Sequence, residues 1–382
     1  MTLAEVFRRH GPAYLANQVL SSAKAKVWRA IVACRTAVLG GHVETCDCCG
    51  VTRHVYHSCR NRHCPQCQTR AKEDWLAKRR QELLPVPYFH LVFTLPHALV
   101  GQRPRVIYEM LFGAAAATLT EFGANPRWLG GKLAFSLILH TWKQDLARHV
   151  QVHALVAGGA LTPEGEWRSP KRGFLFPVRA LSPVFRGKFI AALSETRGPG
   201  QRLAESLADE KLWLALRQQL YAHDWVVYAK QPLGGPEQVV EYLGRYTLRV
   251  AISNERLVAM DETTVRFRVR ATPGKRVLQL PAAEFIERFL RHVLPSGFKW
   301  IRHYGLLAPA AKATKLALAR QPLSVPAPDA VITATVEDFL QRIGRTEWAR
   351  CPHCGAGRFV PTAVMPPLHL ATPPGASVRG PP

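Results

Sequence analysis

Two pairs of cysteines near the start of the chain limit its possible folds more than any other feature. Cys46 and Cys49 form one C-x-x-C pair, Cys64 and Cys67 form another, and 14 residues separate the pairs. Each pair can turn the chain into a tight knuckle whose two thiolates reach one tetrahedral Zn²⁺. A short hairpin around residues 53–56 is expected to bring the knuckles together. The sequence therefore predicts a structural zinc ion held by these four cysteines in a zinc-ribbon-like domain.

Other side chains beside the knuckles offer alternative ligands. Cys59 and His63 lie in the same segment, and either is able to replace one of the four cysteines or to help hold a second metal. Free structural cysteines are a poor alternative, because five of the nine cysteines fall within residues 46–64. Arg60 and Arg62 flank the knuckles, where their charge suits contact with phosphate.

The cysteines also indicate a reducing compartment. Their number is odd, and the first residues show no basic-then-apolar leader. No apolar run reaches the roughly 18 residues of a membrane span. Clustered thiols inside a cell bind metal more often than they form disulfides. We therefore expect an intracellular, cytoplasmic protein without a membrane partner.

A lone C-x-x-C pair stands near the other end of the chain. Cys351 and Cys354 have no second pair downstream, so they form half a zinc site, to be completed by His353, His369 or another chain. Proline and glycine dominate from there to the end. We therefore expect residues 307–382 to be a largely disordered tail that carries this knuckle.

Residues 149–157 alternate in the way that predicts a strand. His149, Gln151 and His153 fall on one face, whereas valines and alanines occupy the other. Two imidazoles and an amide in a row are suited to holding a metal. His90 begins another predicted strand, and it is either a third ligand or, as is commoner for a lone histidine, a core residue.

Helices are predicted on both sides of this strand. Residues 104–123 and 131–147 have apolar stretches that favour helices. Farther on, Tyr242 and Tyr246 follow Gly234-Gly235-Pro236, a pattern typical of a helix start. Residues four apart lie one above the other on a helix. Core packing is the common reason for that spacing, and the alternative is a pair of phenols facing the metal strand.

The charge of the chain favours a polyanionic partner. Lysine and arginine number 51 against 27 acidic residues, which gives a net charge of +24. Basic side chains bind nucleic acid by displacing counterions from its phosphates. A basic protein with no such partner is the plainer alternative. The predicted hairpin around residues 264–280 presents Arg266, Arg268 and Arg270 on one face. Lys230, Arg245, Arg249 and Arg302 are further candidates for contact with DNA.

Several long motifs resemble the insertion sequence 91 family of rolling-circle transposases, which use two tyrosines and a histidine–hydrophobic–histidine motif. The resemblance runs from about Ala4 to Ala308, and it is carried by residues 7–14, 58–65, 88–95, 185–189, 242–247, 249–254 and 301–305. It implies an α+β fold with a zinc-binding N-terminal domain and a nuclease domain. The nuclease domain is expected to have a central antiparallel sheet flanked by helices. We expect these domains to span residues 1–85 and 86–306.

The resemblance also implies an activity and its residues. Tyr242 and Tyr246 would be nucleophiles that attack single-stranded DNA at the element ends, each holding a 5′ end as a phosphotyrosine. Mg²⁺ or Mn²⁺ would sit at the histidine motif, and the protein would associate with the nucleoid when bound to DNA. The family pattern places histidine at position 151, where this chain has Gln151. A glutamine oxygen is able to bind these hard ions.

Three hypotheses for the function follow. Because of Gln151, the chain is either an active enzyme or an impaired relative that still binds DNA through its zinc domain and basic surface. A metal-dependent nuclease that uses water, and so forms no covalent adduct, is the third hypothesis. The oligomeric state is not predicted.

Overall fold

The protein is described by a computed structural model over residues 1–100, 103–171, 173–197, 209–229, 238–239, 244, 251–270, 274–326, 335–342, 344 and 346–368. The helices are α1 Leu3–Ala16, α2 Ser22–Ala33, α3 Gln68–Arg80, α4 Pro104–Ala124, α5 Val178–Glu195, α6 Glu210–Tyr221, α7 Ala282–Leu290, α8 Lys312–Arg320 and α9 Val336–Arg342. The strands are β1 Gly41–Cys46, β2 Thr52–Tyr56, β3 Tyr88–Thr94, β4 Lys132–Trp142, β5 Arg148–Leu161, β6 Trp167–Arg168, β7 Val227–Ala229, β8 Leu257–Met260, β9 Thr264–Arg270, β10 Lys275–Pro281, β11 Ile301–Gly305 and β12 Phe359–Met365.

An antiparallel sheet of order β11-β4-β5-β3-β7 forms the centre of the molecule, and β6 pairs with the end of β5. One face of this sheet packs against α4 and α5 in the largest core, which includes Phe93, Phe112, Phe185 and Phe189. The other face carries His90 and His153 and packs against a smaller core. Both faces are thus covered, and the α+β fold with an antiparallel sheet is confirmed.

The strand β4 corrects one prediction. Residues 131–147 were expected to be a helix, but Lys132–Trp142 pair with β5 on one side and β11 on the other. The run from Leu133 to Leu139 is buried on both faces of the sheet, so it lacks the alternation that marks a half-buried strand. An uninterrupted apolar run of this kind does not distinguish a strand from a buried helix.

A second sheet has the order β10-β9-β8, and its β9–β10 pair is the predicted basic hairpin. Val265, Phe267 and Val269 are buried, whereas the arginines between them are exposed. Those buried residues share a core with α1, α2 and α7. The first helices of the chain therefore pack against the hairpin that lies far beyond residue 85.

A third sheet, of order β12-β1-β2, corrects the expectation for the end of the chain. Phe359–Met365 pair antiparallel with Gly41–Cys46. Residues 312–320 and 336–342 are also helical. The prediction of a largely disordered tail is therefore wrong for these segments, because pairing with β1 supplies hydrogen bonds that local composition does not reveal.

None of the described helices is long and apolar enough to cross a membrane.

Candidate nuclease and zinc sites

Four polar side chains meet on the sheet face that is opposite α4 and α5. Gln151 and His153 extend from β5, and the side-chain nitrogen of Gln151 lies 2.9 Å from Nε2 of His153. His140 lies opposite Gln151 on β4, and its Nδ1 is 3.4 Å from the same Nε2. His90, on β3, approaches the other ring nitrogen, with its Nε2 2.9 Å from Nδ1 of His153. His153 is thus the centre of a cluster drawn from three adjacent strands.

The two nitrogens of His153 have different surroundings. Nε2 faces His140 and Gln151, whereas Nδ1 faces His90, and both His90 and His153 are buried. A histidine that binds metal through one nitrogen usually donates a hydrogen bond from the other. Nε2 of His153 is therefore the nitrogen available to a metal, and His90 is placed to orient the ring. His90 is not placed as a third ligand.

His149 lies on the same face, one step toward the solvent. It is half-buried and hydrogen-bonds to Gln151, and burial, reinforced by the nearby positive charge of Lys143, lowers its pKa. The imidazole is therefore neutral near pH 7 and able to accept a proton or hydrogen bond. Along this face of β5, Gln151 lies between His149 and His153, and it contacts both of them.

A cleft of about 450 Å³ opens beside this cluster. His140, His149 and Gln151 form part of its wall, and so do Lys143 and, from the β9–β10 hairpin, Arg270 and Arg276. Candidate metal ligands and three basic side chains thus line one cavity. This arrangement suits a phosphodiester, whose charge the arginines are able to neutralise.

The donors present fit Mg²⁺ or Mn²⁺ moderately well. His140 and His153 offer imidazole nitrogens, and Gln151 offers an amide oxygen when the nearly symmetric amide is turned through 180°. Manganese accepts imidazole and oxygen ligands together, whereas magnesium prefers oxygen alone. This donor set therefore favours Mn²⁺ over Mg²⁺.

The tyrosines predicted as nucleophiles, Tyr242 and Tyr246, lie outside the described residues, as do Lys230, Arg245 and Arg249. Near them, residues 238, 239 and 244 are described and are helical. Val239 is fully buried in the smaller core, together with Ile138 and Leu155. Those two residues pair directly with His153 and His90 in the sheet, so Val239 packs on the face that carries the histidine cluster.

A first cysteine cluster lies in the N-terminal region. Cys34, Cys59, Cys64 and Cys67 place their sulfur atoms within 4.8 Å of one another. The predicted set of Cys46, Cys49, Cys64 and Cys67 is therefore wrong, because Cys46 and Cys49 lie at the β1–β2 turn and β2 carries the chain away from them before it reaches Cys59. Cys59, predicted as an alternative ligand, is part of the cluster. Four converging thiols are the ligand set of a structural zinc site.

A second cluster contains the other half of the predicted set. Cys46 and Cys49 converge with Cys351 and Cys354, again with all four sulfurs within 4.8 Å. The knuckle at 351–354 is therefore completed by cysteines of this chain, and neither His353 nor another chain is needed.

His63, the other alternative zinc ligand, belongs to neither cluster. Its backbone N–H donates to Oδ1 of Asn61 at 2.9 Å. Burial, together with the charges of Arg62 and His292, lowers the pKa of His63 to about 3. His63 is thus a neutral packing residue where the zinc-binding region meets α7.

Two of the arginines expected to contact DNA have intramolecular partners instead. The guanidinium of Arg62 lies 3.6 Å from the ring centroid of Trp300, and burial lowers the pKa of Arg62 to about 9. Arg302 donates to both carboxylate oxygens of Glu109, at 2.6 and 2.8 Å. Stacking and pairing leave these side chains little capacity for phosphate. Arg60, Arg266 and Arg268 are exposed as expected.

Cys34 and His140 are the functional residues that the sequence alone did not reveal. Cys34 follows α2 and stands 25 residues before its nearest partner, Cys59. The number of cysteines could have revealed it, since nine cysteines supply two sets of four zinc ligands with one left over. His140 was hidden by the helix predicted over its strand.

Known proteins resemble this chain over nearly its whole length. A family model described as "Putative transposase" matches residues 134–315, and another, described as "Transposase zinc-binding domain", matches residues 6–95. The "Putative transposase y4qJ" of Sinorhizobium fredii is 43% identical in an alignment of 378 positions that covers 95% of each chain. The "Transposase for insertion sequence element IS801" of Pseudomonas savastanoi pv. phaseolicola is 27% identical in an alignment of 349 positions that covers 88% of this chain and 82% of that protein.

Proposed function

Since the chain belongs to the insertion sequence 91 family of transposases, we propose that it nicks and rejoins single-stranded DNA at the ends of its element. The nick would proceed through a covalent 5′-phosphotyrosine, as in rolling-circle transposition. The zinc-binding region and the basic hairpin would bind the DNA, and the central sheet would carry the chemistry.

The observation that carries this proposal is the cleft beside His153. It is lined by two candidate metal ligands, His140 and Gln151, and by the cations Arg270 and Arg276. A single strand is able to place one phosphate at the metal face while its neighbours contact the arginines.

His140, Gln151 and His153 would hold the divalent ion. When bound, Mn²⁺ or Mg²⁺ would polarise the scissile phosphate and spread the charge of the transition state. His90 would keep the His153 ring in the orientation that directs Nε2 at the ion. His149, with its lowered pKa, would be neutral and able to accept a hydrogen bond from DNA or water in the cleft.

Val239 supports the position of the tyrosines. Tyr242 and Tyr246 follow Val239 by three and seven residues, and those spacings share one face of a helix. Val239 packs on the same sheet face as the histidine cluster. On the helix predicted from the sequence, both phenols would share a face with Val239.

The proposed step is a transesterification. The tyrosine oxygen forms a bond to the phosphorus as the bond from phosphorus to the 3′ oxygen breaks. The phenol loses its proton, and the departing 3′ oxygen gains one. Because an ordinary phenol has a pKa near 10, the proton must be removed as the bond forms. The phosphodiester energy stays in the protein–DNA link, so rejoining needs no ATP.

Gln151 favours a second candidate. An amide is a weaker ligand than imidazole for the softer metals. A chain whose metal site is impaired in this way would keep its fold and its basic surface. It would then act as a zinc-dependent DNA-binding protein without nicking activity.

A covalent capture assay tests the proposal. Purified protein is incubated with single-stranded oligonucleotides from the element ends, with Mn²⁺, with Mg²⁺ or with EDTA. An adduct that survives denaturant, needs metal and disappears in the Tyr242→Phe/Tyr246→Phe double variant supports phosphotyrosine chemistry. Cleavage without an adduct would indicate attack by water. DNA binding without cleavage, restored to adduct formation by Gln151→His, would indicate the impaired relative.

A further inference from the structure

The second cysteine cluster joins two parts of the chain that are far apart in sequence. Cys46 and Cys49 come from the end of β1 and the turn after it, whereas Cys351 and Cys354 lie just before β12. The latter two lie outside both matched family regions, residues 6–95 and 134–315. We propose that these four cysteines form a second structural zinc site, which fastens the C-terminal segment to the N-terminal region.

The spacing of the sulfur atoms fits zinc. Sγ of Cys46 lies 3.8 Å from Sγ of Cys354, and Sγ of Cys49 lies 3.8 Å from Sγ of Cys351. Two sulfurs on a tetrahedral zinc are about 3.8 Å apart, because each Zn–S bond is about 2.3 Å long. A disulfide would require about 2.05 Å. The four thiols are therefore spaced as ligands and not as two bridges.

The two knuckles have the same backbone geometry. The N–H of Gly50 donates to the carbonyl of Cys46 at 3.1 Å, and the N–H of Gly355 donates to the carbonyl of Cys351 at 2.9 Å. Both glycines have positive φ values, 70° and 71°. Only glycine adopts this conformation without strain. Two matching C-x-x-C-G turns thus face each other, each contributing two sulfurs.

The backbone around the knuckles is joined as well. The N–H of Asp47 donates to the carbonyl of Arg358 at 3.0 Å, and the N–H of Arg358 donates to Oδ1 of Asp47 at 2.8 Å. Gly357 passes so close that a Cβ there would lie 2.5 Å from Sγ of Cys46. Its N–H also donates to Sγ of Cys354 at 3.3 Å. N–H bonds to cysteine sulfur stabilise the thiolate that a metal requires.

The structure also shows which cysteine is excluded. Cys48 lies between two of the ligands in sequence, yet it is exposed and belongs to neither cluster. With two four-cysteine clusters, eight of the nine cysteines are used. Cys48 is therefore the matched control for any substitution at Cys351 or Cys354.

The site gives the C-terminal segment a defined role. It closes residues 46–354 into a loop and supports β12 as the third strand beside β1. Release of this zinc is expected to free the C-terminal segment while the first cluster keeps its own metal. The nuclease residues lie within the closed loop and contribute no ligand.

Metal analysis of the full chain tests the proposal. The wild-type protein is expected to contain two zinc ions per chain, and the Cys48→Ser control is expected to keep both. The Cys351→Ser/Cys354→Ser variant should keep one, and so should Cys59→Ser/Cys67→Ser. One zinc per wild-type chain, or an unchanged content in the Cys351→Ser/Cys354→Ser variant, would overturn the second site.

A measurement on the wild-type protein covers the case in which these variants fail to fold. Alkylation in the native state should modify Cys48 at once and the eight clustered cysteines only after a strong chelator is added. Rapid modification of Cys351 and Cys354 in the zinc-loaded protein would contradict the proposal. Native mass spectrometry should find both zinc ions on a monomer after dilution, and zinc retained only in a dimer would overturn an intrachain site.

Discussion

Nε2 of His90 lies 2.9 Å from Nδ1 of His153, and their imidazoles stack with ring centroids 5.1 Å apart. The pair spans the β3–β5 ladder, where Val92 is opposite His153 and His90 is opposite Leu155. A metal at Nε2 of His153 requires the proton on Nδ1, which then donates to His90. If His153 holds the metal, its tautomer would be set by His90, a side chain outside the proposed ligand set.

Replacing His90 should weaken metal binding. We expect His90→Leu to lower the Mn²⁺ affinity about 10- to 100-fold, the usual cost of losing a group that orients a ligand. His90→Gln, which keeps an acceptor, should recover part of the loss. Isothermal titration with Mn²⁺ measures both. His303→Gln is the control, since His303 bonds to Ser136 on the same sheet face, and an equal loss there would refute a specific role for His90.

Substitutions at two of the proposed metal ligands should change adduct formation in opposite directions. We expect His140→Ala to lower metal-dependent adduct formation by about tenfold or more, since one imidazole ligand is lost. Gln151→His should raise the yield in Mn²⁺, because imidazole replaces a weaker amide ligand. Rates of adduct formation against Mn²⁺ concentration provide the measurement. Full activity in His140→Ala would place the metal elsewhere.

The hairpin arginines should control the affinity for single-stranded DNA. Arg270→Ala/Arg276→Ala removes two cations from the cleft, so the slope of log affinity against log salt should fall by about 1.4. Fluorescence anisotropy at several salt concentrations measures this slope. Lys211→Ala/Arg217→Ala removes the same charge from exposed positions on α6, and it should leave the slope nearly unchanged. A similar change of slope in both variants would indicate that the arginines act only through the overall positive charge of the protein.

Stability should fall as the pH drops below 6.5, partly because of His292. This residue is 3% exposed, and burial lowers its pKa to about 4 from 6.5. Between those values the unfolded state binds more protons, so the free energy of unfolding decreases as pH falls through this window. The full effect is about 3 kcal/mol. In the His292→Gln variant, the free energy of unfolding should fall less between pH 7 and pH 5. Urea unfolding measures this difference, and the zinc content is checked at each pH.

Arg62 should act through packing and not through DNA. We expect Arg62→Ala to lower the free energy of unfolding by about 1–2 kcal/mol, since it loses the stack on Trp300 and the buried side-chain stem. Arg62→Met, which keeps the stem, should lose less. Arg29→Ala, on an exposed part of α2, should change it by less than about 0.5 kcal/mol. A drop in DNA affinity without a drop in stability would contradict this role.

Local patterns in the sequence were enough to predict several elements of the site. Alternation predicted the strand that carries Gln151 and His153, and it predicted the hairpin whose exposed face holds Arg266 and Arg268. Each of these signals arises from neighbours within a few residues, because the two faces of a strand differ in burial. The count of cysteines likewise indicated zinc before any ligand was placed.

Only the tertiary structure decided which distant residues meet. The sequence showed knuckles at Cys46 and Cys351, but only the pairing of β12 with β1 joins them across about 300 residues. The apolar run before His140 suited a helix as well as a strand, and pairing with β5 and β11 selected the strand. Periodicity reports how a segment is buried, whereas partners separated by hundreds of residues are chosen by the packing of the whole chain.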